Sequence, residues 1–218
     1  MSAKTTDRSL ILRATADPDA AAQASVASAL AKLGVAPAIH TVDTTEAGTW
    51  MVMDQVTPGT TLAETDPRTL NLDDLTAPLR SMVGEPAPSC DLPSITDWLR
   101  DRLTDDHLAD IPPGQTRSDA KDRKHALDLL NELADDTRTG LCHGDTSTFN
   151  VVADADGRWM FIDPRGMRGE VEYDAAVMAF KIADALTISE AVARVADAVQ
   201  LDYSRVQKWV MISRSARV

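Results

Sequence analysis

Apolar spacing along the chain changes character near its first quarter. Ser9 to Thr15, SLILRAT, is a short apolar run and predicts a strand. Asp17-Pro18-Asp19 predicts a turn and a helix start, with proline near the first turn. Ala20 to Leu33 is alanine-rich, with Val26, Leu30 and Leu33 at helical spacing and Gly34 as its stop. Pro37 begins an extended stretch, and Thr49 to Val56, TWMVMDQV, predicts a second strong strand. Glu46-Ala47-Gly48 predicts the turn of a hairpin with Ile39 to Val42. Thr57-Pro58-Gly59 then breaks the pattern and reads as a hinge.

Beyond that break the helical period dominates. Leu70 to Val83 carries Leu72, Leu75, Leu79, Met82 and Val83 on one face. Ser94 is positioned to cap ITDWLRDRL, whose apolar stripe is Trp98, Leu99 and Leu103. Loops are predicted over Gly84 to Pro93 and around Pro112-Pro113-Gly114. Ala120 to Ala134 predicts a helix with Leu127, Leu130 and Leu133 inward. Further helices are predicted over Tyr173 to Leu186, Ser189 to Val199 and Tyr203 to Ser213. One β-hairpin interrupts them, Asn150 to Ala153 with Trp159 to Ile162, joined by Asp154-Ala155-Asp156-Gly157. The expected class is therefore α+β, with a small β-rich unit over residues 1–58 and a mostly helical unit over 59–218.

Composition narrows the partners. The 218 residues are 44% hydrophobic and 26% charged, ordinary for a globular protein. The net charge of −12 disfavours nucleic acid as a partner. It suits a cationic small molecule, or simply solubility. No apolar run is long enough for a bilayer. Cys90 and Cys142 form no metal-binding pattern, and a reducing cytoplasm fits them. His40, His107 and His125 sit in polar surroundings and read as surface residues. The four tryptophans, Trp50, Trp98, Trp159 and Trp209, read as packing residues.

Chemistry concentrates between Leu141 and Asp174. The hairpin puts Asn150 at the start of one strand and Asp163 just past the end of the other, so both side chains can converge at one end. Asp145 lies on a loop after Gly144. Phosphoryl transfer needs a base to orient the attacking hydroxyl and oxygen ligands for Mg²⁺ on the nucleotide. Asp145 suits the base. Asn150 and Asp163 offer one neutral and one anionic oxygen, which suit a hard cation. The HGD triplet alone is weak, since it also opens metallophosphatase sites, but the further GD and GNH motifs of those enzymes are missing.

HGDTSTFN, FIDPRG and EYDAA together resemble the aminoglycoside phosphotransferase family, a branch of the protein-kinase-like fold, and most of all its streptomycin and hydroxyurea branch. ILR, the helix ending LGVAP, and WMVMDQVTPGTTL resemble more thinly the family's lysine strand, N-lobe helix and hinge strand. The resemblance implies a two-lobe fold with a reduced β-rich N-lobe, and an ATP- and Mg²⁺-dependent kinase acting on a small-molecule hydroxyl. It implies Asp145 as catalytic base, His143 as a brace of the catalytic loop, and Asn150 and Asp163 as metal ligands. Asp174 would receive backbone N–H groups of that loop, and Arg165 would touch phosphate or balance the acids. Arg13 stands where the family's phosphate-binding lysine is expected, with Lys4 as another cation.

The chain departs from the family at its start. No glycine precedes Leu10, where a phosphate-covering hairpin is expected, and the N-lobe helix offers Gln23 in place of a glutamate. The chain reads as trimmed at both ends. Two readings follow: an active phosphotransferase, or a non-catalytic binding or regulatory module that grips a protein partner, for instance one of phage or mobile-element origin.

Overall fold

Three antiparallel strands open the chain, in the order β1 (Leu10–Thr15), β3 (Gly48–Asp54), β2 (Ile39–Thr45). They belong to a computed structural model that describes residues 9–108, 111, 116–136, 138–183 and 187–217. Helix α1 (Ala20–Lys32) lies against this sheet. Its small side chains make close approach possible on two sides at once. Ala24 and Ala27 pack on Met51 of the sheet, while Val26 and Leu30 join the large core of the helical body. The hairpin is longer than expected, reaching Thr45.

Thr57-Pro58-Gly59 is not a bare break. Pro58–Thr61 forms β4, which pairs with β6 (Val151–Asp154), itself paired with β7 (Trp159–Phe161). Proline is tolerated as the first residue of this edge strand because its missing N–H takes no place in the ladder. Sequence pattern hid the strand because PGTT has no apolar alternation.

The body contains α2 (Leu72–Met82), α3 (Ile95–Thr104), α4 (Ala120–Ala134), a two-stranded ribbon of β5 (Gly140–Leu141) and β8 (Arg168–Gly169), then α5 (Val171–Lys181), α6 (Ile188–Val199) and α7 (Tyr203–Ala216). Helix α5 is its axis. Val171 to Ala179 are all buried, which explains why the run is apolar on every side instead of amphipathic. Tyr173 meets Trp209 of α7 edge to face at 5.7 Å. Glu170 is buried beneath them, with Arg205 donating to it at 2.5 and 2.6 Å and the Trp209 indole at 3.1 Å.

Caps follow local chemistry. Ser94 accepts from the Thr96 N–H, as expected. Thr187, not Ser189, opens α6 through a capping box with Glu190. Helix α5 starts two residues before Tyr173, and α7 runs on to Ala216. Three apolar assignments are corrected. Val83 follows the end of α2 and is exposed. On α4 the inward row is Ala126, Leu129, Leu130 and Leu133, with Leu127 half-buried. Trp50 is 44% exposed, because β3 has α1 on one face only. His40, His107 and His125 are exposed, as expected. Lys4, the Pro112-Pro113-Gly114 loop and the last residues of the helix expected to end at Leu186 lie outside the described residues.

Candidate active site

The ribbon of β5 and β8 clamps both ends of the motif-bearing stretch, with Gly140 opposite Gly169 and Leu141 opposite Arg168. Asp174, one turn into α5, reaches back into the loop that follows β5. Its carboxylate accepts the backbone N–H of His143 at 2.7 Å and of Gly144 at 2.9 Å. Its carbonyl accepts the Thr146 hydroxyl at 2.6 Å, and Tyr173 donates its hydroxyl to the Gly144 carbonyl at 3.3 Å. Gly144 itself sits at φ +83°, and a Cβ there would lie 2.9 Å from Arg165 Cβ. Burial pushes the Asp174 carboxyl up to about 7 against the pull of those N–H groups.

His143 links this loop to the hairpin. Its Nε2 lies 2.9 Å from the Ile162 carbonyl and its Nδ1 accepts the Asp145 N–H at 3.2 Å. That assignment puts the proton on Nε2 of a neutral ring. Burial agrees, holding the imidazole down at about 4. The ring joins the backbone before Asp163 to the backbone of Asp145. Asn150 completes the frame by donating Nδ2 to the Asp145 carbonyl at 3.0 Å, which leaves its Oδ1 for another partner.

Asp163 leaves the hairpin at φ +56°, a left-handed conformation that aspartate tolerates better than most residues. Its carboxylate is half exposed and pairs with Arg13 Nη1 at 2.7 Å. Arg13 Nη2 donates to Gln23 of α1 at 2.8 Å. The arginine and glutamine thus form a hydrogen-bonded pair where a lysine and glutamate were expected by resemblance. The following turn is tied to the same helix. A Cβ on Gly166 would fall 2.4 Å from the Gln23 nitrogen, so only glycine lets this turn touch α1.

Arg165 points the other way. Its backbone N–H donates to the His143 carbonyl at 2.9 Å, and its Nη2 lies 3.5 Å from Asp145 Oδ2. Its guanidinium lies 4.4 Å from the centroid of Trp98. Seven residues singled out by sequence, Arg13, His143, Asp145, Asn150, Asp163, Arg165 and Asp174, therefore belong to one connected cluster.

Two openings flank it. On the Asp163 side is a mostly apolar cleft of about 550 Å³, lined by Ile11, Ala36, Met53, Val152 and Phe161 among others. On the Asp145 side is a polar cavity of about 820 Å³ bordered by Asp145, Arg165, Lys181 and the end of α7. Sequence reasoning missed the second wall. Arg214 and Arg217 were not singled out, whereas Trp98 packs against the core as expected. Only the basic character of SRSAR was a signal.

Comparison with solved structures gives the fold. The chain is similar to aminoglycoside phosphotransferase APH(3'')-Id from Streptomyces rimosus, solved with ADP and streptomycin, at 17% identity and TM-score 0.67, covering 95% of this chain and 87% of that one. It is similar to choline kinase LicA from Streptococcus pneumoniae at 16% identity and TM-score 0.69, covering 98% and 77%. A thermostable APH(4)-Ia, solved with AMP-PNP and hygromycin B, matches at 18% identity and TM-score 0.62, covering 94% and 76%. No curated protein sequence matches the chain. The reduced sheet, the embedded hairpin and the helical body are the protein-kinase-like architecture expected from the motifs. A family model described as aminoglycoside/hydroxyurea antibiotic resistance kinase matches residues 27–216, and the chain belongs to that family.

Proposed function

We propose that the protein transfers the γ-phosphoryl group of ATP to a hydroxyl of a small molecule. The observation that carries this reading is the bridge through His143. It fixes Asp145 and Asp163 at one end of the hairpin, with an apolar cleft beside one and a polar cavity beside the other. Such a division suits a nucleotide base on one side and an acceptor on the other.

In this mechanism Asp145 accepts the hydrogen bond of the attacking hydroxyl and aims its oxygen at phosphorus. His143 stays neutral and holds the loop; it carries no proton to substrate. Arg165, beside Asp145, supplies a cation toward the transferring oxygens. Arg13 offers a guanidinium fork to the nucleotide phosphates. Asn150 Oδ1 and the Asp163 carboxylate would hold Mg²⁺, and this pair of hard oxygens fits an ion that keeps phosphate and water ligands as well. The metal, when bound, neutralises phosphate charge. Nucleotide-bound relatives, solved with ADP or AMP-PNP, support a nucleotide in the apolar cleft.

The test is acceptor-dependent ADP release with ATP and Mg²⁺, compared with Asp145→Ala. We expect a loss of about 10³-fold in the variant, as for removal of a positioned base. Equal rates in both proteins would overturn the reading. One observation favours a non-catalytic binding module instead. The contact between Arg13 and Asp163 ties the phosphate-directed cation to a candidate metal ligand. Under that reading ATP and Mg²⁺ raise the melting temperature without turnover.

A further inference from the structure

The cavity on the Asp145 side has the opposite charge balance from the molecule. The chain carries −12. Yet among the described residues the cavity wall holds six cationic side chains, Arg102, Arg117, Arg165, Lys181, Arg214 and Arg217, against three carboxylates, Asp119, Asp122 and Asp145, with Asp106 behind the wall pairing Arg117. One of the three, Asp145, already faces Arg165 at 3.5 Å.

The cations come from five places in the fold, α3, the approach to α4, the turn after β7, α5 and the end of α7, and are set in position by it. Arg102 of α3 is buried and donates to the carbonyls of Ala216 and Arg217 at 3.0 Å each, which fixes the end of α7. Arg214 lies in the last turn of that helix and Arg217 is its left-handed cap. Among the described residues, neither of their guanidinium groups is hydrogen-bonded or ion-paired. Arg117 is anchored by Asp106 and the Leu103 carbonyl, and its Nε, like that of Arg165, is buried without a hydrogen-bond partner. Lys181 closes α5 on the same wall.

Resting on the phosphotransfer reading, we propose that the acceptor is an anion: a hydroxylated small molecule that also bears a carboxylate or phosphate group. Forked guanidinium groups bind such oxyanions in two-point contact. A polycation entering this cavity would meet like charge in a partly desolvated space, where repulsion is screened less than at an open surface. The negative charge of the whole chain, which by itself suits a cationic ligand, lies elsewhere on the surface. The local field at the cavity sets the specificity.

The test uses a matched set of acceptors: a hexose, its uronate, its phosphate ester and its amino sugar, with ATP and Mg²⁺. The uronate or the phosphate ester should exceed the amino sugar in kcat/KM by at least about tenfold, and which of the two is better identifies the oxyanion. The double variant Arg214→Gln with Arg217→Asn, which keeps a left-handed-tolerant residue at the cap, should shrink that ratio several-fold. Equal use of all four, or preference for the amino sugar, overturns the proposal. If no acceptor is phosphorylated by a protein that also fails to hydrolyse ATP, the phosphotransfer reading has failed. The anion site is then decided by thermal shift with inorganic phosphate and citrate. Stabilisation of wild type that is lost in the double variant upholds it, and equal shifts in both proteins, or none, overturn it.

Discussion

The N-terminal sheet and the helical body are built to different standards, and the candidate site lies where they meet. The body buries α5 on every side and stacks Tyr173 and Trp209 over a fully paired Glu170. The sheet rests on a core of Ala24, Ala27 and Met51, while Leu10, Ile11 and Leu12 on its edge strand are 53%, 42% and 62% exposed. The half of the site that belongs to the body, Asp145 and Asn150, is fixed by part-buried hydrogen bonds on a loop that Asp174 holds from behind with buried ones. The half that belongs to the sheet, Arg13, is held by one half-exposed ion pair and one hydrogen bond. Stability and nucleotide affinity should therefore respond to different residues.

The largest effect is expected in the body. Glu170→Ala takes from buried Arg205 its buried carboxylate, leaving only the exposed Asp136 at 3.1 Å, and strips the Trp209 N–H of its acceptor, and should lower unfolding free energy by about 3 kcal/mol in urea titrations. A loss below about 1 kcal/mol would mean that the body is not organised around this pair.

A smaller effect sharpens the role of His143. Its ring is held neutral with a pKa of about 4, below the ordinary value of 6.5. Between those values the folded state binds fewer protons than the unfolded chain. The stability from His143 is thus complete above pH 6.5 and is lost as pH falls through 4. Asp174, pushed up to about 7, acts in the opposite sense, gaining folded-state stability as pH falls. The two offset each other in the wild type. His143→Asn removes one of them, so its destabilisation should shrink by roughly 3 kcal/mol between pH 7 and pH 4. A penalty that does not change with pH would show that the ring takes up its proton in the folded protein as it does in the unfolded chain.

The smallest stability change is expected in the sheet. Arg13→Ala removes a largely solvated ion pair and should shift unfolding by less than about 1 kcal/mol. The same variant should raise the KM for ATP about tenfold, the worth of one charge-assisted hydrogen bond to phosphate. A large stability loss with unchanged KM would reverse the contrast between the two regions.

Legibility in the sequence followed the same division. Helices α2, α3 and α4 were readable within about two residues because a half-buried helix needs an apolar stripe at its own period. The hairpin was readable from the turn at Gly157 and the strand lengths, which set the Asn150 backbone against Ile162, the residue before Asp163. Strand β4 was not, because PGTT is held by pairing with Val152 to Asp154 and not by its own pattern. Trp50 was misread because its face of the sheet has no partner helix. The arginine wall of the cavity beside Asp145 was invisible, since Arg102, Arg165 and Arg217 are distant in sequence and meet only through the packing of α3, the turn after Asp163 and the end of α7.

What the sequence determined by itself is the chemistry that fits in one local stretch: Asp145, Asn150 and Asp163 at set spacing, the loop glycines, and the helices behind them. Local propensity and short-range hydrogen bonds suffice to specify these. Tertiary structure alone decided that Arg13 reaches both Gln23 and Asp163, and that the cavity beside Asp145 in an acidic protein is rich in arginine. Both depend on side chains brought within a few ångströms by packing. Coulomb interaction depends on distance in space, and the order of residues along the chain does not record it.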